Sequence, residues 1–145
     1  MVSHPHTFPA CFNRFVGLPW RDRGRDFSGV DCWGLLRLVY LHELGRDLPL
    51  HLDDYLSAAD RRAIADLVEG GLPDWQPIAR GEEQSFNGVL IRCGANASHI
   101  GIVIYPGTLL HIEQDKTSVA ESYRHGILKN RVLGFYRHNP RPKNE

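Results

Sequence analysis

Apolar positions along this chain follow first one period and then another. Up to residue 30 no period is sustained, and the segment reads as irregular, with a short helix over Pro9–Val16. Over residues 31–45 Leu35, Leu36, Val39, Tyr40 and Leu44 recur at helical spacing, and Trp33 and Leu38 widen the apolar face. Asp31 stands where an N-cap belongs, and Gly45 is a natural stop, so a largely buried helix is expected there. Residues 46–57 read as loop. A second helix is expected over Ala58–Glu69, ended by Gly70-Gly71 and Pro73, and Trp75–Gln84 reads as a connector. From Asn87 onward the alternation is that of strands: Val89–Cys93, Ile100–Tyr105, Leu109–Gln114, Ser118–Ser122 and Val132–Arg137, separated by turns. Helices first and an antiparallel meander afterwards predict an α+β fold, with N-terminal helices on a C-terminal sheet of about five strands.

Length changes this picture little. The 145 residues suit one domain with its own core, framed by an irregular arm at 1–14 and a polar tail at 139–145. Charge removes function classes. Seventeen basic residues balance seventeen acidic ones, so the basic footprint of a nucleic-acid binder is missing. The longest apolar stretches, Trp33–Leu41 (interrupted by Arg37) and Ile100–Tyr105, fall far short of the ~20 residues of a spanning helix, and no membrane insertion is expected. The N-terminus lacks the basic and apolar regions of a secretory signal. Three cysteines, Cys11, Cys32 and Cys93, argue against a disulfide framework and fit a chain made in a reducing cytoplasm.

One of these thiols has a privileged place. Cys32 opens the best helix, where free N–H groups and the helix dipole favour the thiolate. Cys93 falls in a strand and reads as a small core residue. In the strand around Ile100, His99, Gly101 and Val103 share one face and Ile100, Ile102 and Ile104 the other. A hairpin closed by Pro106-Gly107 is expected to pair positions whose numbers sum to about 210, which sets His99 opposite His111. A base and the group that orients it need that arrangement. Gly101 would leave open space beside His99, and the Cys32 helix is expected to cover this same face.

These residues resemble a known family. Gly29-Val30-Asp31-Cys32-Trp33-Gly34-Leu35 is similar to the nucleophile motif of the NlpC/P60 cell-wall peptidases. Ser98-His99-Ile100-Gly101-Ile102 resembles their histidine strand, and Leu110-His111 their third polar position. The likeness runs from about Phe15 to Arg137. It implies a papain-like fold and cysteine-dependent hydrolysis of amide bonds in peptidoglycan stem peptides, typically between D-γ-glutamate and the diamino acid. It implies Cys32 as nucleophile, His99 as base and His111 as orienting group, with no cofactor and no metal. Asp31 stands where the family binds the free amine of the stem peptide. Trp20, in the segment where many members carry tyrosine, Trp33, where many carry serine, and Ser98 are the other expected substrate contacts. The tryptophan after the cysteine and the short chain are most similar to peptidases of phage tails and gene-transfer agents. That likeness implies carriage on a tail tip or baseplate, docking on hub proteins, and action in the periplasm or cell wall.

Other readings stand beside these. Cys32 alone could be a buried structural thiol, and the two histidines could be satisfied sheet residues; the combination of motifs weighs against both. Zinc held by Cys32, His99 and His111 lacks any CxxC or HExxH spacing in support. His4 and His6 read as a solvated tail. Asp31 could cap the helix, bind an amine, or do both. Arg21-Asp22-Arg23-Gly24-Arg25-Asp26 reads as a solvated or interface loop rather than a phosphate site. For the whole chain the alternatives are a structural tail subunit with a blocked site and a cellular amidase or acyltransferase of the same fold.

Overall fold

The computed structural model describes residues 10–48, 74–93 and 97–139. A 3-10 helix, Ala10–Phe15, opens the described chain where a short helix was expected. Two short strands, β1 (Arg25–Asp26) and β2 (Gly29–Val30), form a hairpin within the segment expected to be irregular. The α-helix α1 covers Cys32–Val39 and continues as a wider π-turn over Tyr40–Leu44. Gly45 ends it in the left-handed conformation (φ 67°), the role its lack of a side chain suits. The expected helix Ala58–Glu69 lies outside the described residues.

The remaining strands are β3 (Trp75–Ile78), β4 (Gly88–Cys93), β5 (Ala97–Tyr105), β6 (Thr108–His111), β7 (Val119–Ser122) and β8 (Val132–His138). They make one antiparallel sheet in the order β3-β8-β4-β5-β6-β7. The α+β class holds, with six strands in the sheet instead of five. The added strand is β3, which read as connector because Pro77 breaks its pattern. Proline is tolerated because β3 lies at the sheet edge.

The sheet buries both faces. On one, Leu90, Ile100, Ile102, Ile104, Leu110 and Ile112 pack with Leu35, Leu36, Leu38 and Val39 of α1 and with Phe12 and Phe15. On the other, Val89, Ile91, Val103, Leu109, Val132 and Phe135 pack with Tyr123 and Leu128. The helix therefore covers the isoleucine face of β5, not the histidine face expected from the sequence. The physical reason is area: the isoleucine row offers an unbroken apolar surface to the leucines of α1, while the other pleat carries two imidazoles and a glycine.

Both ends of α1 are tied to the sheet. Tyr40 Oη donates to the carbonyl of Phe86, whose own N–H donates to Val103 O at 2.8 Å. At the other end, Trp20 bridges to Val30, just before Asp31-Cys32, and Pro19 bridges to Thr117, just before β7. Buried Ser118 tightens this tie by donating to Phe15 O at 2.6 Å and accepting from Leu18 N at 2.9 Å. Since β7 pairs Val119 with His111, the N-terminus of α1 sits at the histidine end of the sheet.

Candidate active site

Cys32 is the first residue of α1 and is buried. Asp31 caps the helix in the expected way, its Oδ1 accepting from Gly34 N at 2.8 Å. The same oxygen takes Arg25 Nη1 at 2.7 Å, and Oδ2 accepts from Arg23 N at 2.8 Å. With 1% of its surface exposed, the carboxylate is engaged by the chain itself, and a substrate amine would have to displace Arg25 to reach it. The fit of the β1–β2 hairpin over this turn depends on Gly34: a Cβ there would lie 2.0 Å from Gly24 O.

The histidines meet, but not in the expected register. A two-residue turn at Pro106-Gly107 sets Tyr105 against Thr108, a sum of 213, and a bulge between Val103 and Tyr105 then shifts the pairing, so that Ile102 meets Leu110 and Val103 meets Leu109, a sum of 212. His111 thus falls opposite Gly101, and His99 reaches it on the diagonal, a distance long side chains span. The rings are nearly coplanar, 5° apart, with His99 Nε2 and His111 Nδ1 at 3.0 Å. Gly101 leaves no open space. A Cβ on it would lie 2.9 Å from Leu110 O and 3.2 Å from the Cβ of His111, so its missing side chain is what lets β6 approach.

A residue that the strand pattern did not single out completes this row. Glu121 Oε1 lies 2.8 Å from His111 Nε2. β7 pairs Val119 with His111 and Leu109 with Glu121, so Glu121 is again a diagonal neighbour on the histidine face. The signal was present: continuing the meander by one strand puts the acid of Val119-Ala120-Glu121-Ser122 on that face. Burial pushes the His99 imidazole down to about 4, helped by the neighbouring His111 and opposed by Glu113. At neutral pH His99 is therefore uncharged and holds a lone pair. Glu113 accepts from Lys116 at 3.1 Å. Burial acts to raise its carboxyl, but that hydrogen bond and the charge of Lys116, joined by the two histidines wherever they are protonated, outweigh it and hold the group low. A cleft of about 300 Å³ opens beside His111 and Glu121, walled by Glu113, Lys116, Thr117, Val119 and Ile127.

The other expected site residues are placed as follows. Trp33, the second residue of α1, is buried in the core, and its indole Nε1 has no hydrogen-bond partner among the described residues. Trp20 is half-buried, its backbone bridged to Val30. Ser98 lies in β5 opposite Arg92, and its side chain is outside the described residues. Cys11 is half-buried, and burial, then Glu43, pushes its thiol up, which makes it a poorer nucleophile. Among the described residues no cluster of three or more His, Cys, Asp or Glu is placed to hold a metal ion.

So the N-terminus of α1, with Cys32, lies toward the end of the sheet that carries the His99–His111–Glu121 row, while α1 itself packs on the opposite face. The sequence profile of the NlpC/P60 family matches residues 17–137. No curated protein matches the chain in sequence. Among solved structures it is similar to an NLP/P60-family protein from Staphylococcus aureus, described as similar to lipoprotein, at 17% identity and TM-score 0.60 over 90% of this chain and 39% of that one. It is similar to an NlpC/P60-family protein from Bacillus cereus at 17% identity and TM-score 0.62, over 92% and 42%. It is also similar to the NlpC/p60 domain of the peptidoglycan hydrolase SagA, at 18% identity and TM-score 0.57, over 87% of this chain and 92% of that domain. The chain thus spans about two-fifths of the first two proteins and most of the third.

Proposed function

Because the chain belongs to the NlpC/P60 family, we propose that it is a cysteine peptidase that cleaves amide bonds in peptidoglycan stem peptides. The observation that carries this reading is a neutral, buried His99 held by His111, in a chain that also has a thiol at the N-terminus of its helix. In the proposed reaction His99 accepts the proton of Cys32, and the thiolate attacks the peptide carbonyl. The oxyanion is held by the backbone N–H of Cys32. His99 returns its proton to the leaving amine, and water then hydrolyses the acyl-thioester. Family likeness points to the bond between D-γ-glutamate and the diamino acid. The Asp31-Cys32-Trp33-Gly34 stretch further suggests an enzyme carried on a phage-like tail tip or baseplate and delivered to the wall through hub proteins. Purified peptidoglycan incubated with wild type and with Cys32→Ala tests the chemistry: soluble fragments released by wild type alone are expected, and equal release by both would sink it.

One observation favours a second reading, a structural subunit with a blocked site: Cys32 is only 5% exposed and Trp33 only 3%. Thiol reactivity separates the two. A competent Cys32 alkylates quickly at pH 6, and a blocked one does not. A cellular amidase or acyltransferase of the same fold would instead act on small acyl esters and leave wall fragments intact.

A further inference from the structure

We propose that Glu121 is a positioning residue that sets the proton pattern of both histidines and leaves Nδ1 of His99 as the nitrogen that receives the thiol proton. The inference rests on the peptidase reading and extends it by one residue. A carboxylate oxygen accepts, so His111 Nε2, 2.8 Å away, is its donor. In the proposed pattern this is the single N–H of His111, so its Nδ1 is an acceptor. His99 Nε2 lies 3.0 Å from that atom and must donate to it. The single proton of neutral His99 is thereby placed on Nε2, and its lone pair on Nδ1.

When the Cys32 S–H bond breaks, its proton forms a bond to Nδ1 of His99, and the electron pair stays on sulfur. One proton moves; the two Nε2–H bonds stay where they were. The imidazolium so formed is stabilised through His111 by the negative charge of Glu121, the part an acid plays behind a histidine in other triads. Position supports the assignment. His99 and His111 are almost fully buried, so water does not set their tautomers, and Glu121 is a third exposed and lines the cleft. Glu113 shares the face, but its oxygen is bonded to Lys116.

Nitrogen-15 spectra of the histidine rings test this directly, alongside peptidoglycan hydrolysis. In the wild type at pH 7 both rings are expected as Nε2–H tautomers. Glu121→Ala should let both rings mix tautomers and lower kcat about tenfold with little change in KM, the size of effect seen for residues that orient a ligand or base. Glu121→Gln, which keeps an acceptor oxygen and loses the charge, should retain the tautomers, with kcat between those of the wild type and Glu121→Ala. Glu113→Gln removes a charge from the same face without removing the hydrogen bond and should leave the tautomers as they are. An Nδ1–H tautomer at His99 in the folded wild type overturns the proposal whether or not any variant folds. So does a folded Glu121→Ala with unchanged tautomers and kcat. If the wild type releases no fragments from peptidoglycan, the peptidase reading fails, and the tautomers still decide the role of Glu121.

Discussion

Acid should unfold this protein partly through His99. In an unfolded chain a histidine protonates near pH 6.5; in the fold this imidazole stays neutral down to about 4, chiefly because burial removes it from water. Between those values the unfolded chain binds a proton that the folded one refuses. Stability from this group is therefore complete above about pH 6.5 and is lost as pH falls toward 4. The gap, at ~1.4 kcal/mol per pH unit, amounts to roughly 3 kcal/mol once fully expressed and somewhat over 2 by pH 4.5. That is a large part of the ~5–15 kcal/mol that holds a domain together.

The assay is urea unfolding of wild type and His99→Gln from pH 7.5 to 4.5, with stability taken from midpoint and slope. Other groups titrate in this range. His138 is lowered by its own burial and by Arg46, and Glu83 and Glu113 are held low at the acid end. The shifts of His138 and Glu83 owe nothing to residue 99 and cancel in the difference, which reports His99 together with the part of the Glu113 shift that it causes. Wild type is expected to lose about 2 kcal/mol more than the variant on going to pH 4.5. Parallel stability curves would refute the claim that His99 is buried and neutral.

Two further outcomes follow from close contacts at the site. Gly101→Ala pushes a methyl group to within 2.9 Å of Leu110 O, so β6 must shift away from β5; about 1–3 kcal/mol of stability and most peptidoglycan hydrolysis should be lost, and an unchanged Tm would contradict the packing. Arg25→Met strips the buried carboxylate of Asp31 of its cation; a loss of ~3–5 kcal/mol and slower alkylation of Cys32 at pH 6 are expected, and the ion pair is idle if neither occurs.

What the sequence showed and what it hid divide along a physical line. Local periods and caps gave α1, its N-cap Asp31 and its stop at Gly45, and alternation gave the faces of β5. Information carried by pairing between distant segments was not visible in periods. The β1–β2 hairpin is too short to show alternation, and β3 joins the sheet only because β8 offers it an edge. The histidine register was misjudged by two residues because it depends on where a turn closes and on a bulge between Val103 and Tyr105, each of which moves every partner beyond it. The choice of face for α1 was misjudged because polar residues on a pleat can be buried by the chain on the far side. Glu121 escaped notice for a related reason: its role exists only through the diagonal offset of β6 and β7.

The charges at the site form a gradient that suits a thiol. A carboxylate beside Cys32 would by itself oppose a thiolate, since like charges a few ångströms apart repel strongly away from water. Asp31 is nonetheless needed, because the first turn of α1 requires an acceptor for its free N–H groups. The conflict is resolved by Arg25, whose guanidinium lies 2.7 Å from Asp31 Oδ1, and by the N–H groups of Arg23 and Gly34, which share the remaining negative charge. The cap keeps its geometry and loses its field. At the far end of the row the opposite holds. The side chain of Glu121, a third exposed and joined to His111, adds negative charge where the histidines would carry the proton. In the proposed reaction a proton leaving Cys32 toward His99 would move away from a neutralised carboxylate and toward one whose charge still counts. That asymmetry, more than the presence of any one residue, is what would suit this end of the sheet to the proposed nucleophilic chemistry.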